Sequence, residues 1–541
     1  MVINFSELLK DNNLFLDYIY NFENVKRFYK NNFRDENSFE NVFSKLNSKD
    51  DTTKTKLVEI ITNQYKKHSP SEKTLNNIEK LNHPNTVTIF ASQKLGLVGG
   101  PLYTIYKIFT TIKLSEYLNE KFTNYNFVPI LWLTGDDHDF EKVTCLKFID
   151  KENEIKKLFY YDFSHKEFNK GSIGNIKFNN YVKELSSEIK TSLRETEFSK
   201  SFFRLLDKIL IEGITFKESF FKLIFKIFDE TGLIIFDPQD KKVKELLKPI
   251  FIKELTYFKE HSADVLLVSA DLDENYHAQV KVKPINLFYS NESGRHLIEP
   301  VDNEFRLKGK RKRITRENML ELVENYPERF SPNVLLRPVC QDYLFPTGVY
   351  IAGPEEISYF AQAMPLYSNF NVQPPIIYPR ASATIVESNI AKILMKYNLS
   401  VQDFFQGETI LKENVIKTLS ANNIESIFNT TTKTIKEALT TLTEQLNLVD
   451  QTLGETSKIN TEEILNQLNL LKSDAMEKEE SKYSTALHQL EKAQNIIYPN
   501  NNLQEQELSI INFLNKHRMD FFDWLYNELE INEFNHQILE L

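Results

Sequence analysis

Short apolar runs alternate with segments of helical spacing through the first 386 residues. The runs at 86–92 and 126–133 are rich in β-branched and aromatic residues, which is typical of buried strands. Between them, a loop with three glycines leads into a helix-spaced segment that begins at Pro101. This order of elements predicts a βαβ unit with parallel strand pairing. Further apolar runs predict that the same sheet continues at 233–237, 349–353 and 374–380.

The pattern changes after residue 387, where no strand signal remains. Apolar residues there follow a heptad spacing, at Ile435, Leu439, Leu442, Leu446, Val449 and Leu453. We therefore predict an antiparallel helical coiled coil over 387–500, turning near Gly454, and a helical tail over 501–541 that packs on the core. The heptad face fits packing within one chain and dimerisation equally well.

The predicted core, residues 1–386, is of the α/β class, with inserted segments at roughly 151–230 and 255–330. The composition excludes several classes of protein. The two cysteines, Cys145 and Cys340, are too few for a disulfide framework and fit a reducing cytoplasm. A net charge of −10 argues against general nucleic-acid binding. No apolar run is long enough to cross a membrane, and the N-terminus does not have the pattern of a signal peptide.

A cluster of ionisable residues follows the strand at 126–133 directly: Asp136, Asp137, His138 and Asp139. Ligands of open α/β sheets bind at the carboxyl ends of strands, so this position is the expected one for a site. The cluster fits acid–base chemistry, a metal or a substrate amine. A solvated turn whose aspartate caps the next helix is the structural alternative.

The loop before Pro101 holds Gly96, Gly99 and Gly100, in a chain with only 14 glycines among 541 residues. Glycine-rich loops at helix N-termini bind phosphates or carboxylates through backbone N–H groups, although this loop matches neither dinucleotide nor P-loop signatures. A tight turn between strand and helix is the alternative. Downstream, Arg380 and Ser382 follow another strand and fit anion binding. The basic run at 308–313 fits a solvated hairpin or attraction of a phosphorylated substrate.

At these residues the sequence resembles a known family, the cysteine-adding enzymes of bacillithiol biosynthesis. The matching segments keep the family order over nearly the whole chain. They are GLVGGPLYTIYK (96–107), WLTGDDHDFE (132–141), ETGLIIFDP (230–238), YHAQV (276–280), NLFY (286–289), PERFSPNVLLRPVCQDYLFPT (327–347), GPEEISYFAQ (353–362), PPIIYPR (374–380) and NLQE (502–505).

The resemblance implies a Rossmann-like core of the nucleotidyltransferase type, with connective insertions, and a C-terminal coiled coil that supports a homodimer. It also implies a cytoplasmic ligase that joins the carboxylate of L-cysteine to the amine of glucosaminyl malate. Amide formation from a free carboxylate is uphill in water, so we expect ATP to activate the carboxylate, as an acyl-adenylate or an acyl phosphate. Mg²⁺ fits beside the ATP phosphates, and no tightly bound metal is expected.

The resemblance also assigns roles to residues. Asp136, Asp137 and His138 are the expected catalytic residues. The residues expected to bind substrate or nucleotide are Gln93, Gly96, Gly99, Gly100, Tyr103, Arg337, Gln341, Asp342, Glu355, Arg380 and Ser382. The sequence departs from the family at one place, where Ala91-Ser92-Gln93-Lys94 stands for the usual Thr-Gly-Gln-Gln.

Two other functions stay open from the sequence. The acidic cluster fits a metal-dependent hydrolase, which tightly bound Mn²⁺ or Zn²⁺ would favour. A coiled-coil scaffold with a degenerate nucleotide-binding core would bind substrates without turning them over.

Overall fold

The protein is described by a computed structural model that covers residues 1–9, 13–46, 51–136, 140–161, 171–419 and 424–541. Asp137 and His138, two of the predicted catalytic residues, lie outside these described residues. The chain divides into two compact units. The first unit holds residues 1–384 and 502–539, and the second holds residues 385–501 and 540–541.

The described residues contain fifteen strands. They are β1 (Val2–Ile3), β2 (Thr86–Lys94), β3 (Asn126–Thr134), β4 (Cys145–Ile149), β5 (Ile155–Phe159), β6 (Ile234–Phe236), β7 (Leu287–Asn291), β8 (Gly294–Val301), β9 (Glu304–Leu307), β10 (Arg313–Ile314), β11 (Phe330–Pro332), β12 (Thr347–Ala352), β13 (Ile376–Pro379), β14 (Ser382–Val386) and β15 (His536–Glu540).

The described residues also contain twenty-four α-helices. They are α1 (Phe5–Leu8), α2 (Asn13–Tyr20), α3 (Phe22–Val25), α4 (Glu36–Lys45), α5 (Asp51–Tyr65), α6 (Glu72–Lys80), α7 (Tyr103–Lys121), α8 (Phe140–Thr144), α9 (Tyr181–Ser192), α10 (Ser199–Ile209), α11 (Phe216–Phe228), α12 (Lys241–Asp273), α13 (Arg316–Asn325), α14 (Leu336–Leu344), α15 (Pro354–Phe370), α16 (Ser388–Tyr397), α17 (Val401–Phe404), α18 (Glu408–Leu419), α19 (Ile424–Val449), α20 (Gln451–Lys482), α21 (Ser484–Ile497), α22 (Gln504–Glu507), α23 (Ile511–His517) and α24 (Asp520–Glu528).

A five-stranded parallel sheet forms the centre of the first unit, in the order β13-β12-β2-β3-β6. The predicted βαβ unit is therefore confirmed as β2, α7 and β3. The first eight residues of β2 and the last eight of β3 are buried, as their apolar sequences require. From β2 the chain builds outward through β3 to β6, and it later returns to the other side of β2 as β12. This reversal creates a topological switch point between β2 and β12, where such sheets bind ligands.

Helix α7 begins two residues later than Pro101, where the sequence predicts its start. The tail of the chain pairs with the backbone just before the helix. Pro101 forms an antiparallel bridge with Ser509, and the Leu102 amide donates to the Leu508 carbonyl at 2.9 Å. Helix α15 spans Pro354–Phe370 and begins with a proline at its first position.

A second, antiparallel sheet of five strands lies in the order β10-β9-β8-β7-β11. Its strands β7, β8, β9 and β10 are joined as consecutive antiparallel hairpins. Asn291 and Gly294 pair across the first of these turns. A separate hairpin of β4 and β5 follows the acidic cluster.

The tail differs from the predicted all-helical segment. After α22, α23 and α24, the chain ends in strand β15, which lies between β1 and β14 in a three-stranded sheet. The sequence did not show this strand because it is a short run whose partners are far away in the chain. Its partner β1 is at the opposite terminus, where Val2 pairs with Gln537.

The second unit is helical and contains the long helices α19 and α20. Their pairing is antiparallel, since Thr443 contacts Ser457 at 2.8 Å and Asn429 contacts Lys472 at 3.2 Å. The turn between them lies at Asp450, so the predicted turn at Gly454 is wrong. Gly454 lies inside α20, where a Cβ would come within 1.6 Å of the Asn447 side chain. The glycine thus allows close helix packing beside the turn.

Candidate functional site

Three basic side chains lie at the carboxyl ends of the central strands: Lys107 on α7, Arg337 on α14 and Arg380 just after β13. The switch point between β2 and β12 lies among the elements that carry them. Both arginines are close enough to lower the pKa of Lys107 by repulsion. An α/β sheet binds its ligand at this edge, and a concentration of positive charge there suits an anionic ligand.

Lys107 is buried, with a side chain that is 4% exposed, and it pairs with Glu356 on α15 at 2.5 Å. Its Nζ also donates to the Ser92 carbonyl at the end of β2, at 2.6 Å. The Glu356 carboxylate accepts two further hydrogen bonds, from the Gly353 amide and the Tyr350 hydroxyl. Burial lowers the pKa of Lys107, and the Glu356 charge opposes that effect. This pair ties β2, α7, β12 and α15 together at the switch point.

The glycine loop folds tightly against itself. A Cβ on Gly96 would lie 2.6 Å from the Gly100 Cα, which no side chain tolerates. Gly99 and Gly100 have φ angles of +88° and +72°, in the region that favours glycine. The structure therefore gives these glycines a role in loop geometry, and their binding of phosphate stays a prediction.

Arg380 and Ser382 converge on Glu505, a residue of α22. The Arg380 guanidinium forms an ion pair with Glu505 at 2.7 Å, with side chains that are 6% and 1% exposed. The Ser382 hydroxyl donates to the same carboxylate oxygen at 3.0 Å. Arg380 also stacks over the Tyr103 ring, 5.3 Å from its centroid. Arg380 and Ser382, which the sequence predicts to bind an anion, are thus held by an acidic residue that the prediction did not include.

Tyr103 and Gln93 lie close to this group. Burial raises the pKa of Tyr103, while Arg380 opposes the shift and Glu356 adds to it. Gln93 is buried and hydrogen-bonds to Tyr103, and its amide also donates to the Lys94 carbonyl at 3.2 Å. Both residues therefore belong to the same side-chain cluster as Arg380.

Helix α14 carries Arg337, Gln341 and Asp342. The Arg337 guanidinium donates to the Tyr359 hydroxyl at 3.2 Å. Gln341 and Asp342 are buried in a chain of hydrogen bonds, in which Ser92 donates to Gln341, Gln341 to Asp342, and Tyr367 to Asp342. This chain connects α14 to the end of β2 and to α15, which is a structural role. Glu355, in contrast, is exposed in the first turn of α15.

Asp136 lies two residues beyond β3 and is neutralised by Lys244 of α12. Its two carboxylate oxygens accept hydrogen bonds from Gln239 and from Lys244, each at 2.9 Å. Burial alone would raise the pKa of Asp136, but Lys244, Arg295 and these hydrogen bonds together lower it. Gly135 allows this arrangement, since a Cβ there would lie 2.4 Å from the Gln239 side chain.

The strand order separates Asp136 from Arg380. Three strand spacings lie between the ends of β3 and β13, which amounts to about 14 Å at ~4.8 Å per strand. The predicted residues therefore line an elongated edge of the sheet, and Asp136 and Arg380 fit opposite ends of a long ligand or of two ligands.

Comparison with known proteins shows which family this chain belongs to. The model of the bacillithiol biosynthesis BshC N-terminal Rossmann-like domain matches residues 1–381. The model of the BshC C-terminal coiled-coil domain matches residues 383–541. The chain belongs to the BshC family.

Individual relatives agree with this membership. A protein of Salinibacter ruber named "Putative cysteine ligase BshC" is 31% identical over 529 residues, covering 97% of this chain and 96% of its own. A protein of Natranaerobius thermophilus with the same name is 32% identical over 510 residues, covering 93% of each chain. The predicted family and its Rossmann-like and coiled-coil fold are thereby confirmed.

Several residues of this BshC site were missing from the prediction. Lys107 and Glu356 were inside quoted motifs, but Lys107 lies in an apolar helix and Glu356 in an acidic first turn, which are ordinary settings for both. Glu505 also ends a quoted motif, at 502–505, whereas Lys244 and His536 lie outside the quoted motifs. All three are far along the chain from their partners, so no local pattern shows these contacts. Within the described residues, no helix has the length and hydrophobicity needed to cross a membrane.

Proposed function

We propose that this chain is a ligase that joins the carboxylate of L-cysteine to the amine of glucosaminyl malate in bacillithiol biosynthesis, with ATP activating the carboxylate. The observation that carries the proposal is the placement of Lys107, Arg337 and Arg380 at the ligand-binding edge of a Rossmann-like sheet. The relatives are named cysteine ligases, which supports the reaction type. The cations at this edge, of which Lys107 and Arg380 are held in ion pairs with Glu356 and Glu505, suit a substrate with phosphate groups.

The chemistry requires two transfers. A cysteine carboxylate oxygen attacks a phosphorus atom of ATP, which releases pyrophosphate if an acyl-adenylate forms or ADP if an acyl phosphate forms. The amine of glucosaminyl malate then attacks the activated carbonyl carbon. The new C–N bond forms as the amine loses a proton, and AMP or phosphate leaves.

Neither transfer needs a nucleophile from the protein. Positioning of the reactants and stabilisation of the negative charge that develops on the phosphates account for catalysis. We assign the phosphates to the Arg337–Lys107–Arg380 side of the edge and the glycine loop. We assign the substrate amines and the proton they lose to the Asp136 side, with Asp137 and His138 as the predicted acid–base partners.

Replacing Arg337 tests this assignment with a matched control. We expect Arg337→Gln to lower kcat/KM about 10- to 100-fold, because a charged donor to the phosphates is lost. Arg329→Gln is the control, since Arg329 also donates to a tyrosine hydroxyl, at 3.1 Å, but is exposed away from this edge. Equal kcat/KM in both variants, measured with melting temperatures, would contradict the role of Arg337.

We further propose that the chain is a homodimer through its coiled coil and acts in the cytoplasm. Exposed apolar side chains of the α19–α20 hairpin support the first point. They include Leu442, Leu448, Val449, Leu453, Ile459, Leu470 and Leu471. Both cysteines are free thiols, which fits a reducing compartment.

A further inference from the structure

His536, on the C-terminal strand β15, is fully buried beside the Arg380–Glu505 pair. Both of its ring nitrogens contact hydroxyl groups of β14. Nδ1 lies 2.7 Å from the Ser382 Oγ, and Nε2 lies 2.9 Å from the Thr384 Oγ1. The ring also packs edge-on to Phe5, with centroids 6.2 Å apart. This histidine therefore has polar partners at both ends of its ring.

The direction of each hydrogen bond follows from the protons available. The Ser382 hydroxyl has one proton and donates it to Glu505 at 3.0 Å. Ser382 must then accept from His536, so the histidine proton lies on Nδ1 and Nε2 accepts from Thr384. Burial lowers the pKa of His536 to about 4, Glu505 opposes the shift and Arg380 adds to it. The ring is consequently neutral at physiological pH.

The Glu505 carboxylate is the common acceptor for the groups around His536. Its Oε1 accepts from Ser382 and from Arg380, and its Oε2 accepts from the Ala383 amide at 3.2 Å. A small cavity lies against the same group and is lined in part by Ala352, Arg380, Ser382 and Glu505. Ala352 is the last residue of β12, so the cavity lies at the ligand-binding edge.

We propose that His536 is a positioning residue, which as the Nδ1–H tautomer orients Ser382 and Glu505 and thereby holds the Arg380 guanidinium in place for an anionic group of the substrate. The proposal rests on the proposed ligase function for the identity of that substrate. It assigns a role in the site to the five-residue strand β15. The contacts that carry this role join residues more than 120 positions apart in sequence.

Two substitutions separate positioning from packing. His536→Asn keeps an N–H donor near the position of Nδ1 but loses ring volume. His536→Phe keeps the ring and loses both hydrogen bonds. If positioning matters, the Phe variant raises the KM for ATP about tenfold or more while Asn stays within a few-fold of wild type, because only Phe removes the donor to Ser382.

The opposite ranking, with Phe close to wild type and Asn impaired, would overturn the proposal, and so would equal KM values in all three proteins. A second measurement does not depend on the variants folding. Nitrogen-15 NMR of the wild-type protein should show His536 protonated on Nδ1 and unchanged across neutral pH. A proton on Nε2, or titration near neutral pH, would overturn the proposal.

The two readouts also separate this proposal from the ligase function. If wild type shows no cysteine-dependent turnover, the proposed function fails, while the NMR result still decides the tautomer. In that case the KM comparison is replaced by the dissociation constant for ATP, measured calorimetrically on the same three proteins. Equal dissociation constants would overturn the positioning role.

Discussion

At the scale of single residues, the candidate site consists of charges that are buried in pairs. Lys107 with Glu356, Arg380 with Glu505 and Lys244 with Asp136 each place a cation and a carboxylate within 3 Å, largely out of solvent. Buried pairs of this kind cost desolvation free energy and are weak evidence for stability by themselves. Their gathering at one edge of the sheet is better explained by a need to fix cations there.

His536 gives a prediction at this scale that stability measurements can check. Its pKa is about 4 in the folded state against a usual value of 6.5, so the unfolded chain binds the proton more readily. Its contribution is therefore fully present above about pH 6.5 and is lost as the pH falls towards 4. We expect the free energy of unfolding to fall by up to about 1.4 kcal/mol per pH unit in that window.

Denaturant unfolding of wild type and of His536→Asn at several pH values checks this expectation. The difference between the two proteins should shrink or reverse towards acid, because the asparagine does not titrate. Parallel pH curves for the two proteins would show that His536 titrates normally in the folded state.

At the scale of elements, the glycine loop shows what the sequence could and could not predict. The strand, loop, helix and strand order was readable because β2 and β3 are buried apolar runs that flank a helical period. The contact between Gly96 and Gly100 could not be predicted from the sequence, since it depends on how the loop folds back on itself. The same holds for the pair of Arg380 and Glu505, whose partners come from separate parts of the chain.

The turn of the coiled coil and the last strand show the same limit. Glycine favours turns, so the sequence predicts the turn at Gly454. In the structure, the aspartate at 450 instead caps α20 by accepting from the Thr452 amide at 2.7 Å. Strand β15 depends on pairing with the other terminus, and short runs do not distinguish strand from helix. Local pattern predicted the elements, and tertiary contacts decided their ends and their partners.

A substitution in the glycine loop tests its geometry. Gly96→Ala places a Cβ against the Gly100 backbone, so the loop must shift, and displacement by about 1 Å can cost about 100-fold in rate. Gly213→Ala is the control: its φ of +89° is unfavourable for alanine, whereas Gly96 has an extended φ of −145° that any residue adopts, and nothing lies within 4 Å of a Cβ on Gly213. We expect kcat/KM to fall only in Gly96→Ala. Full activity of that variant would contradict a role for the loop in catalysis.

At the scale of the whole molecule, the second unit exposes apolar side chains that one chain does not cover. Leu448 and Leu470 are 81% and 60% exposed on the α19–α20 hairpin. If these exposed side chains of the hairpin form a dimer interface, the double variant Leu448→Glu/Leu470→Glu should be a monomer by light scattering, because burying two carboxylates there is unfavourable. Thr440→Glu, an exposed position on the same helix, should stay dimeric.

A monomeric wild-type protein would contradict the dimer proposal directly. So would a double variant that keeps the wild-type mass at every protein concentration tested. Neither result affects the assignment of the site, since the residues described for it belong to the first unit.

The most direct test of the ligase function is reconstitution with defined substrates. Purified protein is incubated with L-cysteine, glucosaminyl malate and ATP, and both the amide product and ATP consumption are followed by mass spectrometry and nucleotide assay. We predict that the product forms only with all three present and that ATP is consumed in equal amount. Folded protein that yields no amide and consumes no ATP under these conditions would contradict the ATP-dependent ligase.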